Sequence, residues 1–257
     1  MKTEPTGYGV RRMCIAADLE HYSRRIDAGQ IEAQRAMKGL MREACDRGAL
    51  ERAQWLTQDQ GDGELALLPP GIDEAHVITA LWRELREGLH RYNRHANTMA
   101  RLRMRVAVHE GQTYIAESGF AGDAINTVCR LRDCTEVKDA LSAAEGDLVL
   151  IVSDRIFYDV IRGYDAHDLP PSAFKEVTVV MPDKGFRARA FIFSGDGAAR
   201  DMPGEAAAEH PPPPASRGEA GDGGVGISIG SIERARDIAG RDITNRDITN
   251  NYGTRDE

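Results

Sequence analysis

The feature that most limits the fold is an alternation of short apolar runs with longer stretches of helical spacing. Residues 12–18, RMCIAAD, form a strand-like run that ends in an acid. Residues 26–48 follow, with Ile31, Ala33, Ala36, Met37, Leu40, Met41 and Ala44 at helical spacing and Gly48 as a stop. Residues 50–68 read as two strands around the turn Gln60-Gly61-Asp62-Gly63. Pro69-Pro70-Gly71 breaks the chain. Asp73 then stands where it can cap a helix running to about His95, with Val77, Leu81, Leu85 and Leu89 on one face. Residues 102–109 alternate as a strand, and 110–121 read as a loop. Residues 123–141 read as helix with a break near Cys134. A buried strand at 148–152, a short helix at 154–161 and a hairpin of 176–180 with 186–193 complete the series.

This order predicts an α+β sandwich, a largely antiparallel sheet with helices covering one face. Its opening βαββαβ is the ferredoxin-like arrangement, extended by additional strands. The 257 residues suffice for one domain of about 200 residues and further segments. Beyond Gly195 the composition shifts to Ala, Gly, Glu and the run Pro211-Pro212-Pro213-Pro214, which holds too little apolar surface to fold. The expected organisation is a domain over 1–195, a disordered Pro/Gly-rich linker over 196–224 and a tail over 225–257. The tail carries a five-residue repeat, RDIAG-RDITN-RDITN, beginning at Arg236. Isoleucine favours strands, and stacked Asn and Thr can form ladders, so the tail is expected either to be disordered or to assemble as β-structure with a repeat-bearing partner protein.

A net charge of −8 argues against a protein that coats nucleic acid, which needs clustered positive charge to replace phosphate counterions. No apolar run approaches the ~20 residues of a membrane span, and the first residues, MKTEPTGYGVRR, lack a secretory apolar core. Cys14, Cys45, Cys129 and Cys134 form no CxxC pair and read as reduced, mostly core thiols of a cytoplasmic protein.

Two groups of residues carry chemistry. Asp18 ends the first strand and Asp62 sits at the first hairpin tip, and a βαβ path can bring them side by side. Adjacent carboxylates repel unless cations lie between them, so such a pair is a natural seat for two Mg²⁺ or Mn²⁺ ions. Gly61 and Gly63 let the backbone turn tightly while a phosphate approaches. Read alone, each acid is more simply an ordinary turn residue. The second group is Asn126 and Arg130, at i and i+4 on one helix face. An amide can orient a ribose, and a guanidinium can neutralise charge growing on a phosphoryl group. A surface Asn and Arg on an amphipathic helix is the plain alternative. His109, Trp55 and Trp82 read as structural.

The segments IAADLEHYSRR, QGDGELALLP, MRVAVHEG and GDAINTVCRL resemble, in order and spacing, the metal loop, GDG hairpin, His-x-Gly strand and Asn/Arg helix of class III adenylate and guanylate cyclases. The resemblance spans residues from about 11 to 193. It implies that Asp18 and Asp62 bind the metals, that Asn126 positions the ribose and that Arg130 stabilises the transition state. Lys184, in Asp183-Lys184-Gly185, resembles the lysine that touches the terminal phosphates, and is equally a solvated turn residue. The implied reaction is attack of the ribose 3′-hydroxyl on the α-phosphate of a nucleoside triphosphate with loss of pyrophosphate. It takes place in a homodimer whose chains share each site. Purine-specific members carry a base-reading Lys and an Asp or Thr where this chain has Gln58 and Gly119. Pyrimidine cyclases of antiphage defence also depart from the purine pattern, so CTP and UTP stand beside ATP and GTP. The chain also resembles short actinobacterial cyclase-like proteins. The rival from another class is a catalytically silent module of the same fold that acts through its tail.

Overall fold

The computed structural model describes residues 7–164 and 168–195. The chain divides into two units, Met1–Ala206 and Ala207–Glu257. Every described residue belongs to the first unit; the expected linker and repeat tail lie outside the described residues.

Strand β1, Val10–Leu19, is the axis of the fold. Seven consecutive residues from Met13 are buried, so both of its faces are covered. It pairs antiparallel with β3, Gly63–Leu67, on one side and with β4, Met104–Ala116, on the other. Strand β2, Leu56–Asp59, flanks β3. Strand β5, Gly119–Ala121, folds back on the end of β4. Beyond β4 come β6, Leu148–Ser153, then β8, Phe186–Phe193, and β7, Lys175–Met181. The order is β2-β3-β1-β4-β6-β8-β7, and β4 with β6 is the parallel pair.

The helices occupy both faces, which corrects the expectation of one. The cause is alternation along β1. Met13, Ile15, Ala17 and Leu19 pack, with Met104, Val106 and Val108 of β4, into a core shared with α1, Asp27–Arg47, and α2, Glu74–Asn93. Cys14 and Ala16, with Ala107, face the other way into a second core with α3, Asp123–Asp133, and α4, Thr135–Ala143. A strand that is apolar on both sides needs a layer on each.

Several local expectations hold. Asp73 caps α2 by accepting from the His76 N–H at 2.9 Å, an interaction contributing ~1 kcal/mol. Gly48 closes α1. Cys134 separates α3 from α4. Trp55 and Trp82 are buried, and all four cysteines are free thiols. One boundary is corrected. Of the expected loop 110–121, residues 110–116 and 119–121 are strand: β4 stays in register with β1 as far as Val10 opposite Thr113, where the Thr113 hydroxyl donates to the Val10 carbonyl at 2.9 Å, and β5 pairs back on β4. His109 therefore lies within the strand rather than at its end. Among the described residues no helix is long and apolar enough to cross a membrane.

Candidate active site

The sheet register places the two acids. Asp18 lies opposite Gly63 in the β1–β3 ladder, and the Leu19 N–H donates to the Asp62 carbonyl at 3.1 Å. The hairpin tip is thus tied to the end of β1. Gly63 makes that approach possible, since a Cβ there would meet the Ala17 carbonyl oxygen at 2.5 Å. Gly61 takes a positive φ of 74° in the turn.

The side chains of the two acids differ sharply. Asp62 is half-exposed and has no ion-pair partner among the described residues. Asp18 is buried, and Arg105 holds both of its oxygens: Nε donates to Oδ1 at 2.9 Å and Nη2 to Oδ2 at 2.6 Å. Arg105 is the residue directly opposite Asp18 in the β1–β4 ladder, so the pairing follows from register. A second guanidinium stands behind it. Arg132 of α3 has its Nε 3.9 Å from Asp18 Oδ2, donates twice to Asp133 and reaches Gln60 Oε1 at 2.6 Å. Burial pushes the Asp18 carboxyl above its usual range, against the pull of Arg105 and Arg132. Nothing in the motif spacing singled out Arg105, Arg132 or Gln60. The available signal was a charge at Arg105 within the apolar run MRVAVH, facing the acid of the neighbouring strand.

Helix α3 packs through Ala124, Ile125, Val128 and Leu131. That leaves Asn126 exposed and Arg130 half-buried on the outer side. The Arg130 guanidinium lies 5.0 Å from the centre of the Phe186 ring, two residues on from the exposed Lys184 in the β7–β8 turn. Neither Asn126 nor Arg130 makes a hydrogen bond or ion pair to Asp18 or Asp62 among the described residues. The structure therefore brings together Asp18 with the Asp62 turn, and Arg130 with the Lys184 turn, and α3 touches the Asp18 end through Arg132. It also brings Gln58 onto Gly119, where a Cβ would come within 2.5 Å of the Gln58 carboxamide oxygen. Gly119 has φ 129°, and the missing side chain is the space that Gln58 fills.

Among solved structures, the chain is similar to the guanylyl cyclase Cya2, at 16% identity over 72% of this chain and 92% of that one, with a TM-score of 0.51. It is also similar to a bacterial light-regulated adenylyl cyclase, at 12% identity over 76% of this chain and 53% of that one, with a TM-score of 0.53. The fold resembles that of class III nucleotidyl cyclase domains. No protein-family model and no curated protein matches the sequence.

The expected metal seat is Asp18 with Asp62. As held here those residues do not form one. Both Asp18 oxygens are spent on Arg105, a second cation adjoins, and among the described residues no three His, Cys, Asp or Glu side chains group to hold an ion. His109 of β4 belongs to no group of three His, Cys, Asp or Glu side chains among the described residues. Its Nδ1 is buried without a hydrogen-bond partner, and burial lowers its pKa below 6.5.

Proposed function

We propose that this chain is a nucleotidyl cyclase that converts a nucleoside triphosphate to a 3′,5′-cyclic nucleotide and pyrophosphate, as a homodimer. The observation that carries the proposal is the division of the candidate residues within a cyclase-like fold. Among the described residues, Asn126 and Arg130 make no hydrogen bond or ion pair to Asp18 or Asp62 of the same chain, although α3 reaches that strand end through Arg132. Two copies related by a twofold axis would put the acids of each against the Asn126 and Arg130 of the other, giving two equivalent sites. In that arrangement Asn126 orients the ribose, Arg130 neutralises charge developing on the α-phosphate and Lys184 meets the terminal phosphates. Gly61 and Gly63 let the backbone approach the triphosphate. Gln58 over Gly119 forms the base-facing wall, with a carboxamide that offers one donor side and one acceptor side. The base is unassigned, and pyrimidine nucleotides belong in the test.

We read the β1 to β4 segment as a ferredoxin-like unit, the organisation 1–195, 196–224 and 225–257 as domain, linker and tail, and the tail as a β-forming adaptor for a repeat-bearing partner. The setting proposed is cytoplasmic signalling, with antiphage defence as one context.

The test is incubation of the purified protein with ATP, GTP, CTP and UTP separately, with Mg²⁺ or Mn²⁺, and chromatographic detection of cyclic product. One NTP should be cyclised, and Asp62→Asn should remove activity without altering the fold, since Asp62 supports no ion pair among the described residues. A second reading has a specific observation in its favour. The Arg105–Asp18 pair suits a silent module that binds nucleotide without turning it over, and absence of product from all four NTPs would establish it.

A further inference from the structure

The disagreement between the acids and a metal seat has a definite geometric source. Arg105 and Asp18 are both about nine-tenths buried as side chains, bonded at two points and fixed opposite each other by ten consecutive paired residues of β1 and β4. The surrounding charges already balance. Two guanidiniums, Arg105 and Arg132, face two carboxylates, Asp18 and Asp133. Gln60 ties Arg132 to the hairpin that carries Asp62. A dication added to the Asp18 carboxylate would have to take oxygens from Arg105 and would stand in a site without spare negative charge, apart from Asp62.

We infer that Arg105 is the resident counter-ion of Asp18 and competes with divalent cations for its carboxylate, so that Arg105 sets the metal affinity of this end of the chain. Asp62 is then the acid open to an ion, and Asp18 becomes a ligand only when Arg105 is withdrawn. Arg132 holds the hairpin and the outer edge of the pair, and its own bonds to Asp133 and Gln60 leave it less engaged with Asp18.

Mn²⁺ binding to the full chain without nucleotide tests this, with free Mn²⁺ counted by electron paramagnetic resonance. Wild type should bind weakly, and Asp18→Asn should leave that weak affinity within about twofold, because the carboxylate is already spent. Arg105→Met removes the charge and keeps much of the bulk. It should tighten Mn²⁺ binding at least about tenfold, given how strongly charges couple at this distance in a protein interior. Asp18→Asn added to Arg105→Met should abolish the gain. Should Arg105→Met fail to fold, as judged by circular dichroism, the wild-type and Asp18→Asn comparison still decides. Tight binding by wild type that Asp18→Asn destroys would overturn the inference, as would an Arg105→Met protein that folds and binds Mn²⁺ no better than wild type. The assay contains no nucleotide, so it succeeds or fails separately from the cyclase reading.

Discussion

The two halves of the candidate site are built on opposite principles. At the end of β1 the acid is buried, bonded to Arg105 at two points and backed by Arg132. On α3 the Asn126 amide is exposed, and the Arg130 guanidinium only rests over the Phe186 ring. The first half is satisfied within one chain. The second has its polar groups still unspent. A group already paired inside a protein contributes to folding; a group left open can be spent on a ligand or on a second subunit. Stability and activity should therefore respond to mutation in opposite places.

The largest effect should come from breaking the satisfied half. Arg105→Ala leaves Asp18 buried without its partner and should cost ~3–5 kcal/mol of unfolding free energy in urea titration. A loss below about 1 kcal/mol would place Arg105 on the open side of the comparison. Next is Arg130→Ala. It should lower kcat by about 10²–10³, the usual consequence of removing a group that stabilises developing charge. Its cost in stability should stay near ~0.5–1 kcal/mol, the worth of a half-buried, solvent-accessible contact with Phe186. An inactive variant that is also badly destabilised would erase the contrast.

A subtler effect follows when the halves are put on different chains. Inactive Asp62→Asn mixed with inactive Arg130→Ala should recover up to about a quarter of wild-type activity, since half of randomly mixed dimers are heterodimers and each holds one intact site. No recovery despite demonstrated subunit exchange would remove the shared-site arrangement.

The smallest effect concerns His109, which faces Cys14 across the same two strands. Burial lowers its pKa, so the folded state binds fewer protons there than the unfolded state does. Its stabilising contribution is complete above pH 6.5 and is lost as pH falls through the lowered folded value. Wild type should lose more stability than His109→Gln between pH 7.5 and 5.5, measured by urea unfolding at each pH. Equal losses would count against a protonation cost at this position.

Much of the architecture was legible because it depends on local rules. Asp73 capping α2, the break at Cys134 and the two hairpins each follow from a few neighbouring residues. Two features were not. Periodicity says that a helix has an apolar side but not which face of a sheet receives it, so the placement of α3 and α4 opposite α1 and α2 needed tertiary contacts. The strand at 110–116 was hidden by Glu110, Gly111 and Gln112, whose composition suits a loop; pairing with β1 overrode it. In the candidate site, spacing found the acids of the first strand and hairpin, and the resemblance to cyclases pointed to Gln58 and Gly119, which the structure brings together. It did not find the counter-ion, because Arg105 lies 87 residues from Asp18 and no sequence pattern encodes that register.

That separation also bears on how the chain is made. The Thr113 hydroxyl that bonds Val10 is 103 residues further along, so at ribosomal rates of roughly 5–20 residues per second β1 waits about 5–20 s for β4. During that interval the run from Met13 to Ala17 has apolar side chains on both faces and an unpaired edge on the β4 side. Exposed runs of this kind are where nascent chains associate wrongly. The arrival of β4 closes that edge and delivers Arg105 to Asp18 in the same register, before α3 covers the Cys14 and Ala16 face, so the acid is buried with its counter-ion already beside it.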